Sequence, residues 1–161
     1  MAETLSLNQF APNVPLAGMY VYMANLPQLH NVLVASTVTS TAPLKAGAVL
    51  TLDAASTNTN APVAKQAAVT DPIFGVITYN PVKQTYIGND RIAIARDGDV
   101  VWMPAAAAVN VGAELYFNAS NQVTSTPTAG NSIVGKALTK ATVAGDLIQV
   151  ELGFKTTEAG E

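Results

Sequence analysis

The stretch Asp71–Pro104, DPIFGVITYNPVKQTYIGNDRIAIARDGDVVWMP, decides the fold predicted for this chain. Ile73–Tyr79 is rich in β-branched and aromatic residues, Arg91–Arg96 alternates in polarity, and Val100–Met103 is apolar throughout. Asp97-Gly98 separates the last two runs, and an Asp-Gly pair favours a type I′ turn between paired strands. The pattern therefore predicts a β-hairpin at the centre of an all-β fold.

A two-residue loop would fix the register of this hairpin. Arg96 would then face Asp99, and Ile92 would face Met103. Opposite charges at facing positions stabilise a strand pair by a few tenths to about 1 kcal/mol. Both faces of the hairpin are apolar beyond that pair, as they are in strands covered on both sides. We therefore expect a second layer over the hairpin, from this chain or from another one.

The composition is that of a globular protein whose surface carries few charges. The 161 residues suffice for one domain of ordinary size. Apolar residues make up 49% of the chain and charged residues 12%, against roughly 25% in a typical soluble protein. Such a surface repels its neighbours weakly, which suits a protein packed against others. A soluble β-protein with a surface of Thr and Asn is the alternative.

Charge and cysteine content exclude several functions. The net charge is −3 and the eight basic residues are scattered, whereas nucleic-acid binding needs a clustered basic surface. The absence of cysteine excludes a disulfide framework, a thiol nucleophile and a thiolate metal site. The first ten residues, MAETLSLNQF, lack the pattern of a secretory signal, and no apolar run approaches the ~20 residues of a membrane-spanning helix. We expect synthesis in the cytosol and no membrane partner.

The chain divides into an extended N-terminal arm over residues 1–31, a β-domain over residues 32–153 and a flexible, polar tail over residues 154–161. Pro12, Pro15 and Pro27 rule out a long helix in the arm, because proline fixes φ and biases the preceding residue to extended conformations. A short strand is expected near Met19–Met23. The arm is interpreted either as an edge strand of the chain's own fold or as a segment reaching a neighbouring subunit.

Two segments of the β-domain resemble each other. KAGAVLTLDA, residues 45–54, matches NVGAELYFNA, residues 110–119, and VAGDLIQV, residues 143–150, is a shorter third copy. The shared unit is a turn that uses glycine, followed by a strand. It predicts two related β-hairpin units, although chance similarity among segments rich in Gly, Ala and Val is the alternative. Between the copies, Ala54–Ala68 is expected to be a long loop with one helical turn near Val63–Ala68.

No arrangement of side chains indicates catalysis, a cofactor or a metal. His30 is the only histidine, and in a catalytic triad it would need an acid to orient it and a serine in contact, but the sequence has no Gly-x-Ser-x-Gly motif. Asp97-Gly98-Asp99 lacks the further ligands of an EF-hand loop, and a turn explains it better. Five aromatic residues could line a sugar-binding groove, although such residues more often fill a core or an interface. They are Tyr79, Tyr86, Trp102, Tyr116 and Phe117.

Taken together, these features resemble the capsid cement, or decoration, proteins of tailed bacteriophages. The resemblance covers roughly residues 33–152. It rests on the proline-rich arm, the turn and strand of Leu44–Asp53, the run Phe74-Gly75-Val76, the Asp97-Gly98 turn and the second unit Gly112–Phe117.

This resemblance implies a non-enzymatic structural protein with a compact antiparallel β-barrel or sandwich-like domain. It further implies a homo-oligomer, a trimer in preference to a dimer, bound to the major capsid protein on the outside of the head. There it would sit between capsomers and stabilise the expanded shell. A carbohydrate-binding β-module on a virion or cell surface is the alternative function. The candidate contacts with the capsid or another subunit are Phe10, Tyr20, Tyr22, Trp102 and Met103.

Overall fold

The structure, a computed structural model, describes residues 15–22 and 30–156, and these residues form thirteen β-strands. They include no helix long and apolar enough to cross a membrane. The all-β class predicted from the sequence is confirmed. The strands are β1 (Tyr20–Tyr22), β2 (His30–Val34), β3 (Leu44–Lys45), β4 (Val49–Leu52), β5 (Val63–Gln66), β6 (Gly75–Ile77), β7 (Thr85–Tyr86), β8 (Arg91–Ala95), β9 (Val100–Pro104), β10 (Glu114–Phe117), β11 (Val123–Thr124), β12 (Ile133–Ala137) and β13 (Leu147–Lys155).

The first half of the domain is a closed five-stranded barrel, called here the first barrel. Its strands lie in the order β2-β5-β4-β6-β8, and β8 pairs with β2 to close it. All neighbours are antiparallel except β2 and β5, which run parallel. The barrel is therefore mixed rather than purely antiparallel.

The second half is a six-stranded sheet that curls into a second barrel. The strand order is β1-β9-β13-β12-β10-β11. Ala105, directly after β9, forms a parallel bridge with Val123 of β11. The Ala106 N–H donates to the Val123 carbonyl at 2.8 Å. This contact joins the far edge of the sheet to the end of β9, and the second barrel consists of β9, β11, β10, β12 and β13.

The two barrels share one topology. When the five strands of each barrel are numbered along the chain, their order around the barrel is first, third, second, fourth, fifth. The first and third strands run parallel, and all other neighbouring strands run antiparallel. Leu50 lies opposite Gly75 in the first barrel, and Leu115 lies opposite Gly135 in the second. The two related units predicted from the sequence are thus confirmed, and they extend over entire barrels.

The repeated sequence corresponds to a repeated turn. Each copy is a β-turn in which a glycine with positive φ leads into a strand, a conformation that costs glycine little and other residues more. Gly47 and Gly112 both have φ of 82°, and Gly145 has φ of 92°. The turn hydrogen bonds run from the Ala48 N–H to the Lys45 carbonyl at 3.1 Å, from Ala113 to Asn110 at 3.2 Å and from Asp146 to Val143 at 3.4 Å.

The hairpin predicted at Asp97-Gly98 is wrong, although the turn exists. The Asp99 N–H donates to the Arg96 carbonyl at 3.1 Å, and of the two central residues only Gly98 has a positive φ, of 90°. That pattern belongs to a type II turn, which splays the flanking strands, whereas a type I′ turn needs positive φ at both residues. Accordingly β8 pairs within the first barrel and β9 within the second. The predicted register between them does not form.

The second layer expected over this stretch is supplied by the same chain. The larger core cluster joins four residues of the first-barrel half, Val49, Ala67, Val76 and Ala95, to the buried residues of the second barrel. Polar contacts add to this interface, because the Val49 N–H donates to Asn121 Oδ1 at 3.0 Å. A smaller core cluster lies within the first-barrel half alone.

Two further predictions meet the structure here. The helical turn expected near Val63 is wrong, because Val63–Gln66 is a strand held between β4 and β2. Within the predicted arm, Tyr20–Tyr22 forms an edge strand on β9, so this part packs on the chain's own fold. Residues 1–14 and 23–29 lie outside the described residues, and for them the arm stays a prediction.

Candidate functional site

The N-terminal segment Pro15–Tyr22 crosses from one barrel to the other. The Gly18 N–H donates to the Trp102 carbonyl in the second barrel at 2.8 Å, and the Trp102 N–H donates to the Met19 carbonyl at 2.9 Å. The Gly18 carbonyl accepts from the Tyr79 N–H at 2.9 Å, directly after β6 of the first barrel. Main-chain hydrogen bonds on both sides therefore make this segment a link between the barrels.

Gly18 is the residue of this segment whose backbone comes closest to the backbone of the first barrel. Its φ is 78°, and a Cβ placed there would lie 2.7 Å from the Gly47 nitrogen and in direct conflict with the Ile77 carbonyl oxygen. Only glycine combines that conformation with so close an approach of backbone to backbone. Ala17 packs beside it, so that a Cβ on Gly47 would lie 2.8 Å from the Ala17 methyl group. The segment thus fills a notch on the first barrel.

Tyr20 adds a side-chain contact to the link. Its hydroxyl donates to the Ile94 carbonyl at 3.4 Å, from β1 across to β8. Burial of the hydroxyl, with the negative charge of Asp99 as the lesser cause, raises the pKa of Tyr20 to about 12. The neutral phenol is the form that this position stabilises.

The predicted contact residues differ in how much of their side-chain surface is accessible. Tyr20 on β1 and Trp102 on the neighbouring strand β9 are both half-buried and keep part of their surface accessible. Met103 is fully buried in the larger core cluster, which leaves it no surface to offer a partner. Tyr22 lies in β1, and Phe10 lies outside the described residues. Contacts through Phe10, Tyr20, Tyr22 and Trp102 stay predictions.

The five aromatic residues considered for a sugar-binding groove do not come together as one surface. Tyr86 is buried and its hydroxyl donates to the Lys83 carbonyl at 2.7 Å. Tyr116 is buried with its hydroxyl 3.3 Å from Glu114 Oε1, and Phe117 is 1% exposed in the core. A sugar stacks on an accessible aromatic face, which these three residues lack.

The acidic residues serve in turns. Asp90 Oδ2 accepts the Ile87 N–H at 2.8 Å while its Oδ1 contacts Lys83 Nζ at 2.7 Å, and these two hydrogen bonds, that of Lys83 first, hold the pKa of Asp90 below its usual value. Asp97 Oδ1 accepts the Phe154 N–H at 2.8 Å. No group of three His, Cys, Asp or Glu residues suited to a metal ion occurs among the described residues.

Exposed apolar side chains are the feature that the sequence analysis missed. Half of them belong to the second-barrel region, in the loops that connect its strands. A comparison of the two repeats position by position would have found one, because Val111 replaces Ala46. Among residues 15–22 and 30–156, the large exposed apolar residues are Leu52, Val82, Ile87, Val111, Leu138 and Val143.

These features define a class of protein with two packed β-barrels and several exposed apolar side chains. The family model of phage cement proteins matches residues 28–152, and the chain belongs to this family. It is accordingly a structural protein of the phage virion that associates with the capsid.

A solved structure shares the fold. It is the N base of the head fiber gp8.5 of bacteriophage phi29, with a TM-score of 0.52 and 14% sequence identity. The similarity covers 76% of this chain and 91% of that one. No curated protein matches this chain.

Proposed function

We propose that this protein is a non-enzymatic capsid decoration protein on the outside of the phage head. It binds the major capsid protein between capsomers and stabilises the expanded shell. The observation that carries the proposal is the family match over residues 28–152, which spans every strand of the first barrel and the strands of the second barrel as far as Leu152 of β13.

The stabilisation follows from binding linkage. A ligand that binds only one state of its partner shifts the equilibrium toward that state, by RT ln(1 + [L]/Kd) for each site. A protein that spans several capsomers binds best when expansion has brought their surfaces into register, so it opposes their separation under the outward load of packed DNA. A stable interface of this kind buries roughly 800 Å² on each partner.

The described surface offers two features that suit such an interface. β1 is the terminal strand of the six-stranded sheet, and an edge strand can pair with a strand of another protein through its main chain. Tyr20 lies on this strand and Trp102 on its neighbour β9, and partly exposed aromatic residues are frequent anchors of interfaces. The net charge of −3 favours the outer surface over one that faces DNA.

Co-sedimentation with phage heads tests the proposal. We expect saturable binding to emptied, expanded heads and much weaker binding to unexpanded heads of the same phage. Saturated heads should also withstand a higher temperature before they release their capsomers. Equal binding to both kinds of head would contradict the linkage, and binding to neither would contradict the decoration role.

The oligomeric state of the free protein is a separate part of the proposal. Sedimentation velocity over a range of concentrations measures it without heads. A trimer is expected. A monomer at all concentrations would contradict assembly before docking while leaving the head-binding result to stand on its own.

A further inference from the structure

The two barrels differ at one equivalent place. In the first barrel, the turn at Ala46 and Gly47 is covered by a second β-turn, Leu16–Met19, in which the Met19 N–H donates to the Leu16 carbonyl at 3.0 Å, and Gly47 is buried. At the base of this first-barrel notch, the Gly47 N–H donates a hydrogen bond to the Ile77 carbonyl at 2.8 Å. The covering turn adds a second hydrogen bond, in which the Tyr79 N–H donates to the Gly18 carbonyl.

The second barrel has the same notch without a covering segment. The Gly112 N–H donates to the Ala137 carbonyl at 2.7 Å, which reproduces the bond between Gly47 and Ile77. A Cβ on Gly112 would meet no atom within 4 Å. The second-barrel notch, formed by Val111, Gly112 and Leu138, is therefore open where the first-barrel notch is filled.

The open notch is also the more apolar of the two. Val111, 63% exposed, takes the place of the half-buried Ala46. Leu138, 39% exposed, takes the place of Thr78, which is 8% exposed. Larger apolar side chains at the more exposed of two equivalent positions indicate a surface that a partner covers.

We propose that the second-barrel notch binds residues 1–14 of a second copy of this chain. The first-barrel notch shows the kind of occupant that fits, a turn of the chain that bonds to the barrel through its main chain. Residues 1–14, MAETLSLNQFAPNV, offer apolar residues around Ala11 and Pro12, with Glu3 as their one charged side chain. Fully extended, fourteen residues reach about 46–50 Å, enough to cross to another molecule.

The direction of the chain favours a second copy over the same one. Traced backward from Tyr22, the chain leaves β9 of the second barrel and reaches the first-barrel turn, where Leu16 and Ala17 share a cleft with Lys45 and Ala46. The described part of the arm thus begins beside the first barrel, and the notch to be filled is on the second. Repetition of one such contact between identical copies builds a closed ring when the rotation closes.

This inference concerns the free protein and goes beyond capsid decoration. It is therefore tested without phage heads. A photo-reactive benzoylphenylalanine is placed at Val111 in the full chain, and unlabelled protein is mixed in equal amounts with protein labelled with ¹⁵N. The control carries the same group at Val82, which is 92% exposed in a loop of the first barrel.

We expect crosslinks from position 111 to residues 1–14 in which labelled and unlabelled peptides are joined, and none of this kind from position 82. Crosslinks confined to one isotope would show that the chain's own N-terminus fills the notch and would overturn the proposal. Crosslinks to another part of the chain, or none at all, would overturn it as well.

A substitution gives an independent measure. Val111→Asp places a charge in the open notch, while the side chain's exposure leaves the fold intact. We expect it to weaken self-association at least tenfold in sedimentation equilibrium, with the thermal midpoint unchanged. Val82→Asp should leave association unchanged. Equal association constants for the two variants would contradict docking at the notch.

Discussion

Gly18 is held in a conformation and a space that exclude a side chain. Gly18→Ala would add the cost of a positive φ, about 1–2 kcal/mol, to a clash with the backbone of Ile77 and Gly47. We expect a loss of more than about 2 kcal/mol in the free energy of unfolding, measured by urea denaturation. The control is Gly145→Ala. Gly145 also has a positive φ, of 92°, but no atom lies within 4 Å of the added Cβ, so this variant carries the backbone cost without the clash. Equal losses for the two variants would show that the link to the first barrel contributes nothing.

Tyr20 makes stability depend on alkaline pH. Its pKa of about 12 in the folded protein exceeds the value near 10 of an unfolded chain, so the folded state holds this proton more tightly. The stabilisation is complete below pH 10 and is lost as the pH rises to about 12. Because the side chain is half-exposed, solvent screening limits the loss to about 1 kcal/mol.

The measurement for Tyr20 is the free energy of unfolding between pH 9 and pH 12. Tyr20→Phe, which loses one long hydrogen bond, should show a shallower decline than the unmodified protein. Tyr86 and Tyr116, whose pKa values burial also raises, titrate in both proteins and cancel in the difference. Parallel curves would contradict this assignment.

At the scale of elements, the pairing of β12 with β13 depends on Gly135. A Cβ at Gly135 would conflict with the Glu151 carbonyl oxygen and lie 2.9 Å from its carbon. Gly135→Ala must therefore push the two strands apart, and we expect it to cost at least about 2 kcal/mol of stability. Gly153→Ala, on β13 with nothing within 4 Å, should be neutral or stabilise by up to about 1 kcal/mol. The pair is compared by chemical denaturation, and similar midpoints would contradict the close approach of these strands.

The elements also show what the sequence could predict. The turn before β4 and β10 was predictable because glycine and its following strand form a local signal, repeated in Lys45–Ala54 and Asn110–Ala119. The separation of β8 and β9 into different barrels was not predictable. Asp97-Gly98 is compatible with both a type I′ and a type II turn, and contacts distant in sequence determine which one forms. The open notch at Val111 was hidden for a related reason, since its exposure depends on where Leu16–Gly18 packs.

For the whole molecule, the central question is whether two barrels of one topology unfold together. The larger core cluster contains residues of both halves, and the link Pro15–Tyr22 bonds to both. If one barrel unfolded alone, it would expose the apolar surface that covers the other. We therefore expect a single cooperative transition, as for one domain.

Two equivalent substitutions test this cooperativity. Leu50 and Leu115 are both fully buried, each opposite a glycine, in the first and second barrel respectively. Leu50→Ala and Leu115→Ala should each cost about 2–5 kcal/mol. Trp102, the only tryptophan, lies in β9 and reports on the second barrel by fluorescence, while circular dichroism reports on both. Leu50→Ala should lower both midpoints equally, because the first barrel cannot unfold while the second stays folded. A fluorescence midpoint that Leu50→Ala leaves unchanged would instead make the barrels independent domains, and the shared core cluster would then contribute little to their stability.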